Sequence, residues 1–236
     1  MRFRFRPALF VATLCALAIL IWLGVWQLHR LSWKRALIAQ TTERLSEPPI
    51  PFDEAVRRAE AGENMEYQPV YLEGEFVNRF EAHVFGTYDA KPGAYIFTPF
   101  KYSGDLYAYI DRGFAPQKFV DAATRPNSEL DGAVRVEGLF RSTERPIGPA
   151  KWVLPKDQPE DNLYFLRDPE ILARKSGLKV PPYYIDSYGK ESASPWPKGG
   201  TTAVDFPNRH FEYALTWFGL AFALAGVYVV FSIDRG

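Results

Sequence analysis

Thiols are nearly absent from this chain. Of its 236 residues one is cysteine, Cys15, and it lies inside an apolar run. An internal disulfide, a Cys-x-x-Cys metal site and a carrier built on paired thiolates are thereby excluded. What remains for Cys15 is the role of a small apolar residue facing lipid or a neighbouring helix. Net charge is missing as well: 28 Lys and Arg balance 28 Asp and Glu, which leaves no basic excess for nucleic acid. There is no H-E-x-x-H, no G-x-S-x-G and no phosphate-cradling glycine loop. Carboxylates such as Asp111, Asp157, Asp161 and Asp186 are scattered and read as surface or turn groups. Nothing in the sequence argues for an enzyme.

Long apolar runs are present at both ends. Ala8 to Leu28 is about 21 residues without a charge, enough to span a hydrocarbon core ~30 Å thick. Tyr213 to Phe231 is likewise uncharged. A cleaved signal peptide is the alternative for the first run, after Arg2, Arg4 and Arg6. The run exceeds the usual apolar region of such peptides, and no small-x-small cleavage site follows it. Two spans put both termini on one side. The flanking charges, Arg2, Arg4 and Arg6 against Arg30, Lys34 and Arg35, do not decide the orientation, but a long intervening segment escapes the charge rule. The expected topology is a cytoplasmic tail 1–7, a first span 8–28, a periplasmic domain 29–212, a second span 213–231 and a cytoplasmic tail 232–236. No Arg/Ser-rich leader is apparent, which favours the inner membrane of a bacterium. Ala8, Ala12 and Ala16 in one span, and Ala221 with Ala225 and Gly219 with Ala223 in the other, recur at four-residue spacing. Such faces let helix backbones approach, so the spans are expected to pack as an antiparallel pair.

The middle is polar and rich in Pro, Gly and Tyr, and about 160 residues suffice for one domain with its own core. The first helix is expected to continue over 29–46, where nothing breaks it before Pro48, Pro49 and Pro51. Phe52 to Glu60 reads as a short helix. Val70–Val77, Ala82–Tyr88, Tyr95–Phe100, Leu106–Gly113, Val134–Arg141 and Tyr183–Tyr188 read as strands, rich in aromatic and β-branched residues between Gly, Pro and Asp. Asp168-Pro169-Glu170 opens a helix that Gly177 closes. A Gly/Ser/Pro-rich link over 192–206 leads to the second span. The fold class is therefore a membrane protein: two transmembrane helices flanking a mainly antiparallel, barrel-like β domain with one or two short helices.

Of the three histidines, His29 reads as an interface residue and His83 as an ordinary strand residue. His210 is the informative one. It lies about one turn before the second apolar run, with Asn208 as a candidate N-cap. His210, Tyr213 and Trp217 share a helical face by i, i+3, i+7 spacing. At the matching level of the first span, Trp22, Trp26 and Arg30 form an i, i+4, i+8 stripe. An imidazole, aromatic rings and a guanidinium suit a flat, amphipathic, anionic ligand such as haem: His210 for the iron, Trp26, Tyr213 and Trp217 for the macrocycle, Arg30 for a propionate. The alternative is an interfacial belt of Trp and Tyr that binds nothing.

Several segments also form an ordered set: Leu23-Gly-Val-Trp-Gln-Leu-His-Arg30, Tyr67-Gln-Pro-Val70 with Gly74, Pro92-Gly-Ala-Tyr-Ile-Phe-Thr-Pro-Phe100, Asp111-Arg-Gly-Phe-Ala-Pro116, Val136-Glu-Gly138, Tyr184-Ile-Asp186 and Asn208-Arg-His-Phe-Glu-Tyr-Ala-Leu-Thr-Trp217. In order and spacing the chain resembles the surfeit locus protein one family, assembly factors for haem–copper terminal oxidases. The resemblance implies two spans around an outer-face domain, no enzymatic activity, and a part in maturing the largest oxidase subunit. It implies transient, non-covalent binding of haem a, with the motif histidine at His210. Implied partners are that subunit, haem a synthase, other assembly factors and membrane lipids. The rival readings are a scaffold that stabilises an oxidase assembly intermediate without haem and, more remotely, a sensor anchored at both ends. One departure is Asp111, where the family pattern has Asn; the acid is expected to pair with Arg112 beside it.

Overall fold

The computed structural model describes residues 2–3, 6–146, 148, 152, 154–201 and 208–234. In chain order the elements are β1 (Arg2–Phe3), α1 (Pro7–Leu45), β2 (Ile50–Pro51), α2 (Phe52–Glu60), β3 (Pro69–Phe76), β4 (Ala82–Tyr88), β5 (Lys91–Ser103), β6 (Leu106–Pro116), β7 (Val134–Ser142), β8 (Leu163–Tyr164), α3 (Pro169–Leu172), β9 (Tyr183–Ser187), α4 (His210–Ser232) and β10 (Ile233–Asp234). They fall into two units, Met1–Thr42 with Asp205–Gly236, and Glu43–Val204.

In the first unit α1 runs unbroken for 39 residues, starting at a proline whose missing N–H costs nothing in a first turn. At 1.5 Å per residue it is roughly 58 Å long, about twice a hydrocarbon core. It thus covers both the expected span 8–28 and nearly all of the extension 29–46. The α4 helix begins three residues before the expected 213. Both helices are long and apolar enough to cross a membrane. Of the expected tails, residues 1, 4, 5, 235 and 236 lie outside the described residues, as does 202–206 of the expected link.

The second unit is a mixed sheet in the order β2-β3-β7-β9-β6-β5-β4-β8, with a further pairing of β3 to β5. That pairing, Glu75 with Lys101 and Phe76 with Phe100, closes the circuit β3–β7–β9–β6–β5. Each strand of the circuit contributes to one core: Val70 and Leu72 from β3, Phe100 from β5, Ile110 from β6, Val136 and Phe140 from β7, Ile185 from β9. Phe52 and Ala55 of α2 complete it. Full burial of each such side chain stabilises by about 1.5–3 kcal/mol. A second core of Val84, Tyr95, Phe97, Tyr109, Phe114, Tyr164, Leu172 and Tyr184 lies on the other face of β5, β6 and β9. The central strands are therefore covered on both sides, which is why eight consecutive residues of β5 and eight of β6 are buried where a half-wet strand would alternate.

Most strand pairings are antiparallel, as expected, but β6 runs parallel to β9, β2 to β3 and β4 to β8. The Asp168 carboxylate caps α3 by accepting from the N–H groups of Glu170 and Ile171. The helix proper is four residues, continued by turns to Gly177, whose N–H bonds the Ala173 carbonyl at 2.8 Å. The part of the expected link over 192–201 is not free. Lys198 exchanges both backbone hydrogen bonds with Phe114, at 2.9 and 3.0 Å. Trp196 stacks on Phe119 with ring centroids 6.0 Å apart.

Candidate functional site

Within the first unit α1 and α4 run antiparallel. Arg2 pairs with Asp234 and Phe3 with Ile233 at one end. Further along, the Phe10 and Tyr228 rings lie 5.9 Å apart. Gly24 lies against Phe218, and Gln27 meets His210 at the other end. Close packing and a side-chain hydrogen bond join the pair. The buried residues of α1 here are Thr13, Gly24 and Gln27; those of α4 are Ala214, Ala221 and Ser232. A Cβ on Gly24 would come within 2.6 Å of the Phe218 ring, so glycine is what admits that ring. Of the small-residue sets expected at the contact, Ala221 is buried, whereas Ala8, Ala12, Gly219 and Ala223 are exposed. The contact is set by where a ring, an amide and an imidazole interdigitate.

His210 opens α4. The Arg209 carbonyl accepts the Tyr213 N–H at 3.2 Å, so Arg209, not Asn208, is the cap residue. The imidazole Nδ1 lies 2.8 Å from Gln27 Oε1. An amide oxygen has no proton to give, so the shared hydrogen is on Nδ1. In the neutral ring Nε2 then carries the lone pair, and among the described residues it makes no hydrogen bond. Gln27 is the residue that composition should have flagged, as the sole amide in the run from Ala8 to Leu28.

The other expected residues are placed differently. Trp217 lies half-buried on the same side of α4 as His210, while Tyr213 is 53% exposed. Trp26 is 48% and Trp22 65% exposed, on the outward side of α1. One residue on a helix is a turn of about 100°, so Trp26 cannot share the inward direction of Gln27. The Arg30 guanidinium lies over the Trp33 ring, 4.3 Å from its centroid, not over Trp26. The expectation that Trp26 faces His210 is thus corrected: Gln27 does, and Arg30 lies one turn beyond Gln27 on α1. Among the described residues no group of three or more His, Cys, Asp or Glu converges. Haem brings four nitrogen ligands of its own and would ask the protein for one donor, which the lone pair on Nε2 fits.

The β unit holds a different polar centre. Asp111 and Asp186 are in register on the parallel strands β6 and β9, and both are buried. Asp111 Oδ1 accepts the Gly113 N–H at 2.9 Å, and Arg141 Nη1 lies 3.6 Å from Asp186 Oδ2. Burial, and then the Asp186 charge, push the Asp111 carboxyl up to about 7 despite Arg167 and Arg141. Burial is the largest single influence on Arg167 and opposes its charge, but Asp111, Tyr184, Glu144 and Tyr95 together outweigh it and raise that group above its ordinary value. Arg112 points to the opposite face of β6, its Cζ 4.7 Å from the Phe76 centroid and one nitrogen donating to the Ser128 carbonyl. Burial lowers its value. The expected Asp111–Arg112 pair is thus absent, because adjacent strand residues face opposite ways. The turn-type contact that an asparagine would make is instead made by the acid. His83 bonds Glu81 at 3.0 Å, and Glu81 also accepts from the buried Arg125.

The architecture defines a class: two apolar terminal helices form an antiparallel hairpin with one oriented imidazole, and the polar bulk is a single β unit with a buried ionic centre. The model of the SURF1 family matches residues 14–222. Surfeit locus protein 1 of Rattus norvegicus is 32% identical over 217 residues, spanning 85% of this chain and 68% of the rat protein. The protein of the same name from Homo sapiens is 33% identical over 220 residues, 85% of this chain and 70% of its own. A SURF1-like protein of Rickettsia conorii is 28% identical over 219 residues, 90% of this chain and 86% of its own. The chain belongs to the SURF1 family.

Proposed function

We propose that the chain is an assembly factor for a haem–copper terminal oxidase, and that its hairpin holds haem a as cargo for the largest oxidase subunit. The family supports the assembly role, since the resemblance implies work on cytochrome oxidase. The observation that carries the haem reading is the His210 ring, with Nδ1 engaged and Nε2 bearing the lone pair. When bound, haem a supplies the redox-active iron that the oxidase later uses. His210 would hold the iron through Nε2, Trp217 and Tyr213 would lie beside the macrocycle, and Arg30, one turn beyond Gln27, would offer a cation for a propionate. A single donor from the protein would suit a molecule that must give its cargo away. On this reading α1 and α4 cross a bacterial inner membrane, both tails are cytoplasmic, and the β unit is periplasmic and docks on the subunit or on a partner factor. Trp26 then belongs to the lipid-facing belt.

The test is to purify wild type and His210→Ala from cells that make haem a and compare their absorption spectra. Wild type is expected to carry the haem a bands and the variant to lose at least nine-tenths of them. Equal haem in both sinks the ligand assignment. Haem in neither, with the oxidase subunit still co-purifying, turns the reading to the scaffold.

A further inference from the structure

We infer that Gln27 is the positioning residue of this site, the group that fixes which nitrogen of His210 faces a ligand and how strongly it binds. The inference rests on the haem reading above and concerns the residue that engages Nδ1. Gln27 is 9% exposed and its Oε1 lies 2.8 Å from His210 Nδ1. The contact crosses between the helices, so it fixes the ring's rotation as well as its tautomer. The helices cannot drift apart freely at this level. Gly24, one turn before Gln27, receives the Phe218 ring, and that ring is two turns after His210. An amide left unpaired in apolar surroundings is costly, which gives the pair a second reason to persist.

The chemical type of the partner matters. Histidine ligands in metal sites commonly donate their other N–H to a carboxylate, a carbonyl or water, and the partner tunes the donor strength of the ring. A carboxylate draws the Nδ1 proton and makes Nε2 a stronger donor; a neutral amide oxygen does so less. Gln27 therefore gives His210 an oriented but moderate ligand, which fits a site that releases its cargo. An aspartate or glutamate at this place would hold haem too well.

The experiment uses full-length protein purified with haem a, comparing wild type, Gln27→Glu, Gln27→Leu and His210→Ala. Measured are haem affinity, the midpoint potential by redox titration, and the iron–imidazole stretch by resonance Raman. Gln27→Leu is close in volume and at home in lipid; it is expected to lose affinity by about 10- to 100-fold and to shift the stretch. Gln27→Glu is expected to keep haem, lower the potential and slow haem release. Loss of affinity in Gln27→Leu with the wild-type stretch reduces Gln27 to a packing role and overturns the inference. Wild-type affinity in Gln27→Leu overturns it too, while loss of haem in His210→Ala leaves the ligand assignment standing. Haem retained by His210→Ala fails that assignment itself, whatever Gln27 does.

Discussion

The two units bury polar groups in opposite ways. In the hairpin Gln27 meets His210 across the helices, beside the Gly24–Phe218 contact. In the β unit charged groups are buried in quantity: Asp111, Arg112, Arg125 and Asp186 are each less than 5% exposed. The difference separates stability from chemistry. In the β unit Asp186 is set against Arg141 and Glu81 against Arg125, whereas Asp111 also meets the like charge of Asp186 and is not fully compensated. The hairpin pair uses one ring nitrogen and leaves the other with a lone pair.

If that contrast is right, the units break separately. The largest effect belongs to Gly113→Ala. Gly113 has φ of 107°, and an added Cβ would lie 1.9 Å from the Lys198 carbonyl oxygen. Strained backbone and overpacking together are expected to cost the β unit about 4 kcal/mol or more. In detergent, near-UV circular dichroism should show the tertiary transition lost while the far-UV helical signal of the hairpin persists. Loss of both signals together would show that the units are one cooperative body.

Asp111→Asn ranks second and shows itself through pH. The folded-state value, about 7, lies above the ordinary carboxylate value. Its contribution to stability is therefore full below about pH 4 and is lost as pH rises toward 7. Thermal melts of wild type should fall across that window and those of the variant should not. Near pH 4 the two should match; at pH 7.5 the variant should be more stable by roughly 3 kcal/mol, within the range that a shift of this size allows. A wild-type melting temperature that is level from pH 4 to 7.5 would contradict the buried carboxyl pair.

Gly24→Val is the smallest of the three in energy and acts on the hairpin alone. Displacing Phe218 should destabilise the helix pair by about 1–2 kcal/mol in an SDS titration followed by far-UV circular dichroism. The β-unit melt should stay at the wild-type temperature, and adding Phe218→Ala should recover most of the loss. Failure of that second change to help would mean that the ring is not what Gly24 admits.

Strand positions were legible because alternation and punctuation are local: Ala82–Tyr88 and Val134–Ser142 fall within a residue of where side-chain patterning puts them. The two-residue β8 lacks enough side chains to make a pattern. The parallel pairing of β9 with β6 was not legible, since the register of Asp111 with Asp186 depends on sequence-distant partners. Nor was the docking of Lys198 on Phe114, where composition suggested a free link and backbone hydrogen bonds decided otherwise. In the hairpin, His210 was conspicuous by its position. Its partner was misread because aromatic residues and arginine draw attention. In an apolar helix, the informative residue is the lone amide.

One feature of the sheet bears on how the chain is made. Strand β9 lies between β6 and β7, both of which precede it in the sequence. As the polypeptide leaves the ribosome, β6 and β7 each present an unpaired edge until residues 183–187 follow. Some 70 residues must emerge after the end of β6 before its second neighbour exists, at synthesis rates of about 5–20 residues per second. Exposed edges are where chains add to one another, so the interval is a time of risk for the nascent chain. The strand that ends it comes shortly before α4, so the sheet is completed just before the second helix of the hairpin emerges.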